Sequence, residues 1–213
     1  MQIKSVNISL PKVIEINGNR VETGIFKEAI DKRLMIRKLN IDGDGQADLV
    51  AHGGEFKAVY AYPYEHYATW QSETHRSDFT YGQFGENLTT TGLLETEVFV
   101  GSKYRMGDAL LQVTQPRVPC YKLAIRMNDP KFTKLFMQAQ RTGFYLRVLE
   151  EGEIGAGDKI ELIEVAPQQL SVWTINNLLY FERDPEIAKR ALDIDGLSPG
   201  WYGSILDIAE AVR

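Results

Sequence analysis

The sequence predicts a mainly β domain over residues 1–165, followed by a small three-helix domain over residues 166–213. Two observations carry that division. Up to Val165, short runs of β-type sequence are separated by glycine- and aspartate-rich breaks, as strands joined by turns require. At Ala166-Pro167-Gln168-Gln169 the pattern becomes helical, and Asp184-Pro185 and Ser198-Pro199 each read as a cap followed by a first-turn proline.

In chain order, Ile3, Ser5, Asn7 and Ser9 alternate with Lys4, Val6, Ile8 and Leu10, a period of two with one mostly apolar face. Val13 to Ile16 and Arg20 to Thr23 flank Asn17-Gly18-Asn19, which adopts the positive φ of a tight turn, so a hairpin is expected. Arg33 to Ile41 reads as a further strand, and Lys57 to Tyr62 as another. Between them Asp42, Asp44 and Gln46 invite a calcium-loop reading, which fails because Ala47 stands where the turn glycine belongs; residues 42–48 are read as a connection. Pro63 to Glu73 is expected to be helical with Tyr67 and Trp70 on one face, leaving His66 and His75 at the surface. FGENLTTTGL reads as a loop punctuated by glycine, whose Asn87 amide and threonine hydroxyls can face an anion.

Strands follow at Val98 to Tyr104 and Ala109 to Thr114, then a helix at Lys131 to Gln140, then strands at Gly143 to Glu150 and Lys159 to Val165. The last three elements are helices: Leu170 to Phe181, one opening at Pro185 and one opening at Pro199. The final helix aligns Trp201, Ile205, Ile208, Ala209 and Val212 in a stripe that must pack on something.

A chain of 213 residues is long enough to bury roughly 70% of its unfolded surface. Twenty-nine acidic against 24 basic residues, without charge blocks, give no polyelectrolyte signature for a nucleic-acid polymer. The N-terminus has no secretory h-region, and no stretch approaches the ~20 apolar residues of a membrane span, so a soluble cytoplasmic protein is expected. A single cysteine excludes an internal disulfide and a cysteine-ligated iron–sulfur cluster. No GxGxxG turn marks a flavin or other dinucleotide site.

That cysteine lies in QPRVPCYKLAIR, just past a strand end. Pro116 and Pro119 stiffen the segment, while Arg117, Lys122 and Arg126 supply nearby positive charge that favours a thiolate. Two readings of Cys120 stand on composition: a small apolar filler, or a nucleophile or soft-metal ligand. Upstream, His52-Gly53-Gly54 combines an ionisable ring with two residues that let backbone approach a ligand, although a loop histidine is more often simply solvated.

QADLVAHGGEFKAVYAY, FGENLTTTGL and QPRVPCYKL together, in this order, resemble the MOSC-domain family, named for the C-terminal domain of molybdenum-cofactor sulfurases. The spacing is similar to its bacterial hydroxylaminopurine-resistance branch, which carries a C-terminal three-helix domain. The resemblance implies a closed, largely antiparallel β-barrel with helices around it. It implies a molybdenum–pterin cofactor with Cys120 as its protein ligand, and His52, Gly53, Lys57, Asn87, Arg117 and Lys122 around the pocket. It further implies reduction of small N-hydroxylated compounds, with His52 as a proton donor and a separate electron-donor protein. The oligomeric state is not fixed by the sequence. The alternative is a carrier in which Cys120 holds a persulfide or binds cofactor for delivery. A histidine-assisted thiol nucleophile ranks last.

Overall fold

The computed structural model describes residues 1–16, 18–48 and 53–211. The chain runs β1 (Gln2–Ile8), β2 (Lys12–Ile16), β3 (Asn19–Thr23), β4 (Glu28–Ile30), β5 (Leu34–Ile36), β6 (Val59–Pro63), α1 (Glu65–Thr74), β7 (Leu88–Thr91), β8 (Lys103–Met106) and β9 (Ala109–Pro116). It continues through α2 (Tyr121–Met127), α3 (Phe132–Gln138), β10 (Phe144–Glu150), β11 (Gly152–Ile154), β12 (Ile160–Glu164), α4 (Val172–Asn177), α5 (Pro185–Ala191) and α6 (Pro199–Glu210).

Eight strands form one sheet in the order β12-β8-β9-β10-β6-β7-β1-β4. Its pairs are antiparallel except β6 with β7. The closed barrel that the family resemblance implies is not a continuous hydrogen-bonded ring. The outer edge of β1 is divided: Val6 to Ile8 pair with β4, while Gln2 meets Lys159 in an isolated bridge and Ile3 N donates to Asp158 O at 2.9 Å. The sheet therefore meets itself along a short stretch, where Gly157 N also donates to Ile3 O and Ile160 N to Met1 O, and β4 occupies the remaining edge.

Several local expectations are corrected. Residues 33–41 are strand only over β5; Arg37 N donates to Asn40 O, and an isolated bridge between Ile36 and Ile41 folds the rest back as a turn. Val98 and Val100 are buried, but they pair with the entrance to α4 (Val100 N to Leu170 O, 3.0 Å), and Gly101 at φ 93° turns the chain before β8. The glycine-punctuated stretch read as a loop contains β7, an internal strand. Its threonines are β-branched and suit a pleated surface, so the glycines at its borders misled the reading. Pro63 ends β6 rather than opening α1, and α2 follows the proline segment directly.

On β1 the alternation is only partly kept: Val6 is buried and Leu10, beyond the strand end, is exposed, while on the other face Ser5 and Asn7 are buried too. Their burial is satisfied locally, since Ser5 donates to Asn7 Oδ1 at 2.7 Å and Asn7 Nδ2 donates to Thr89 Oγ1 at 3.0 Å. His66 is not a plain surface residue. Its Nε2 lies 2.6 Å from Glu95 Oε2, and Glu95 Oε1 accepts from Gly143 N, fixing the entrance to β10.

The expected hairpin forms as β2 and β3, and the C-terminal helices form where the caps place them. Asp184 accepts from the backbone of Glu186 and Ile187, and Ser198 precedes Pro199. Leu111, Val113 and Leu146 from the sheet share one apolar cluster with Leu170, Ile175, Trp201, Ile205 and Ile208 from the C-terminal region. Asn17 of the hairpin turn and Val212 of the final stripe lie outside the described residues.

Candidate functional site

Cys120 ends the extended segment after β9 and is the last residue before α2. Its backbone is extended (φ −113°, ψ 171°), and its carbonyl accepts from Leu123 N at 2.9 Å. Neighbouring Arg117 is anchored by its amide, which donates to Gly143 O at 3.1 Å. The side chain then turns inward: Arg117 is only 5% exposed, and its guanidinium sits 5.2 Å from the centre of the Tyr60 ring and 5.3 Å from that of Phe136. Lys57 reaches the same place because Thr114 Oγ1 donates to Phe56 O at 2.7 Å, tying the short turn of residues 55–57 to β9.

These residues line one half-open cavity of about 100 Å³, which Lys57, Asn87, Arg117, Cys120 and Lys122 all reach. Five of the expected residues are thus brought together. Gly53 lies in an adjoining groove that shares Lys57, Val118, Cys120 and Tyr145 with the cavity. His52, expected in the pocket and as a proton donor, lies outside the described residues.

Asn87 lines the cavity and also has a structural task. Its Oδ1 accepts from Tyr60 N at 3.1 Å, and its Nδ2 donates to Asp44 Oδ2 at 2.9 Å. It therefore holds the 42–48 connection against the sheet. Lys27, Asp44, Tyr60 and Tyr145 are site residues that the sequence reading missed. Asp44 was visible as part of an acidic, glycine-rich loop, but its partner Lys27 carries no motif. The two meet at 2.6 Å with side chains 7% and 1% exposed. Close packing builds this wall: a Cβ on Gly24 would lie 2.6 Å from Gly45 O.

Burial lowers the Lys27 pKa, with the Asp44 carboxylate opposing the shift. Burial likewise lowers that of Lys57, opposed by Asp48. For Arg117 burial also acts against the charge, but Tyr60, Tyr145 and Cys120 outweigh it and hold the guanidinium above its ordinary value. Burial raises the Tyr145 phenol, which keeps its proton at neutral pH.

Arg117 Nη1 is buried without a hydrogen-bond partner, and Nη2 reaches Phe84 O only at 3.5 Å. A buried guanidinium without a carboxylate partner is complementary to an anion. Among the described residues no group of three or more His, Cys, Asp or Glu side chains is placed to hold a bare metal ion. The donor set thus suits an anionic ligand that brings most of its own metal ligands, with the Cys120 sulfur as one soft donor from the protein.

The molecule is thus a mixed α/β protein, with a large, mostly antiparallel sheet and C-terminal helices, that presents a thiol and a buried arginine to one cavity at a strand end. The chain belongs to the MOSC-domain family, whose model matches residues 48–161. Uncharacterized protein YflK from Bacillus subtilis (strain 168) is 39% identical over 205 residues, covering 96% of this chain and 92% of the relative. The crystal structure of YiiM from Geobacillus stearothermophilus superposes with a TM-score of 0.82 at 36% identity, covering 97% of this chain and 98% of that one. A protein named Reductase from Gibberella moniliformis (strain M3125 / FGSC 7600) is 34% identical over 165 residues, 76% of this chain but 29% of that longer protein. Among the described residues no helix is long and apolar enough to cross a membrane.

Proposed function

We propose that the protein binds a molybdenum–pterin cofactor at the Arg117–Cys120 cavity and reduces N-hydroxylated compounds, such as hydroxylaminopurine-type bases, within the hydroxylaminopurine-resistance branch of the family. The observation that carries the reading is the unpartnered Nη1 of buried Arg117 in the cavity that Cys120 lines. The relative named Reductase supports it at the level of reaction class.

Arg117 would meet the anionic end of the cofactor, with Lys57 and Lys122 adding charge at the cavity wall. Cys120 would supply one protein thiolate to the metal. When bound, the cofactor supplies the removal of oxygen from an N–OH group, which consumes two electrons and two protons and yields the amine and water. The electrons come from a separate donor protein. Tyr145 borders both the cavity and the groove and retains a phenolic proton there, so it can hydrogen-bond a substrate oxygen.

The test is purification from a host that makes the pterin, followed by metal analysis and reduction of a hydroxylamine with an artificial donor. Cys120→Ser is expected to lose both bound molybdenum and turnover. Full turnover in that variant removes the mechanism. Molybdenum in the wild type without electron transfer to any N-hydroxylated compound would instead leave a cofactor-binding or delivery protein.

A further inference from the structure

We propose that a second groove, at the other end of α2 from Cys120, binds a small flat ring bearing a carboxylate, with Arg126 as the residue that receives the anion. The assignment goes beyond the reductase reading and does not depend on it. The groove is half-open and of about 610 Å³, a volume suited to a small molecule, and it is lined from the segment around β4, the start of α1, residues 79–81 and the last turn of α2. Among its described lining residues only Lys27 also lines the Cys120 cavity, and the Lys27 ammonium is already engaged by both oxygens of Asp44. A ligand here is held by a separate set of side chains.

Two features of the lining select the ligand. The first is a connected row of rings, with centres 5.1 Å apart for Tyr64 and Tyr67, 5.6 Å for Tyr64 and Tyr81, and 6.3 Å for Tyr67 and Phe79. Tyr67 is pinned by its hydroxyl, which donates to Glu86, while Tyr64 leaves 40% of its surface open, so ring surface is offered to a flat ligand. The second is positive charge gathered on one ring: Lys12 Nζ lies 4.6 Å from the centre of Phe26, and the Arg126 guanidinium 5.2 Å from it. Glu28 is the one acidic side chain among the described lining residues and it is exposed, so the lining favours a negative ligand.

Arg126 is where that charge is least satisfied. Nearby Arg76 spends its Nε and Nη2 on the two oxygens of Asp78. Arg126 has no such carboxylate among the described residues: its Nε is buried without a partner, and its Nη2 reaches only Thr80 Oγ1, at 3.5 Å. Burial works against its charge, opposed by the Glu86 carboxylate, so an anion that takes up its donors stabilises it. A carboxylate matches the planar fork of a guanidinium with two parallel hydrogen bonds, which a neutral amide cannot do. The wall is also preorganised, because Arg76 Nη1 donates to Met127 O at 2.9 Å and ties residue 76 to the end of α2.

Isothermal titration of the purified protein with 2-naphthoate tests the assignment, with 2-naphthamide as the same ring without the charge and cyclohexanecarboxylate as the charge without a flat ring. Wild type is expected to bind 2-naphthoate at least about tenfold more tightly than either, and Arg126→Gln to lose about tenfold in affinity. Lys12→Gln, at an exposed position that leaves the core intact, is expected to lose about threefold. Cys120→Ser and Lys122→Gln, which alter the other cavity, are expected to bind as wild type does. Failure of the wild type to bind 2-naphthoate, equal binding of 2-naphthamide, or unchanged affinity in both Arg126→Gln and Lys12→Gln overturns the assignment. A loss in Lys122→Gln that exceeds the loss in Arg126→Gln overturns it too, since the probe would then lie in the Cys120 cavity. Molybdenum uptake has no bearing on these outcomes, so the groove and the reductase reading stand or fall separately.

Discussion

Between the sheet and the C-terminal helices the interior is aliphatic, with Leu111, Val113, Leu146, Ile175 and Ile205 in contact within one cluster. Beneath the cavity it is aromatic and polar. Tyr62, Trp70, Phe84, Phe132 and Phe136 surround Arg117's side of the sheet, and next to them lie the Lys27–Asp44 pair and the buried Glu86 carboxylate. Glu86 accepts from Tyr67 OH, from the backbone of Gly82 and Phe84 at 3.0 Å each, and from Thr89 Oγ1 at 2.8 Å. Apolar packing is non-directional and tolerates small changes of shape; a network of buried hydrogen bonds fixes each partner but fails when one is removed. The aliphatic side is thus suited to holding the fold, and the polar side to holding the cavity wall in one geometry.

That contrast is broken most severely at Lys27. Lys27→Met leaves Asp44 buried without its cation and is expected to cost about 3–5 kcal/mol in urea unfolding. A loss comparable to an exposed ion pair would mean that the two halves do not differ in this way. A smaller and more diagnostic effect comes from pH. Burial holds the Glu86 pKa above its ordinary 4.5, so the folded state retains this proton longer than the unfolded state. Its contribution is therefore greatest at low pH and declines as pH rises from 4.5 through the folded value. Glu86→Gln should remove that component of the pH–stability curve, visible as a pH-dependent difference from wild type; parallel curves would contradict it. The smallest effect is expected across the molecule, where Ile205→Val trims the aliphatic cluster by one methylene and should cost about 0.5–1.5 kcal/mol in urea unfolding.

The cysteine segment was legible because two prolines and three nearby cations flank one thiol, all local features. So were the β2–β3 turn and the caps at Asp184 and Ser198, where residue type dictates backbone geometry. The Lys27–Asp44 pair was not, because it joins the segment after β3 to a loop that local spacing presents only as a connection. Strand β7 was missed for a related reason: glycines at its borders spoke louder than threonines whose burial depends on strands β1 and β6. Asn87 entered as a candidate ligand-facing amide, yet its partners Tyr60 and Asp44 are supplied by the fold.

By itself the sequence determined a β-rich body, a helical end and a stiff strand exit bearing one thiol, because periodicity, proline and caps act over a few residues. Tertiary structure decided that Arg117 turns inward rather than to solvent, that Lys27 finds Asp44, and that Gln115 is buried with an unpaired oxygen. Each of those depends on which distant groups share a low-dielectric space, and the cost of leaving a charge or an amide there is set by neighbours that only the closed chain brings together.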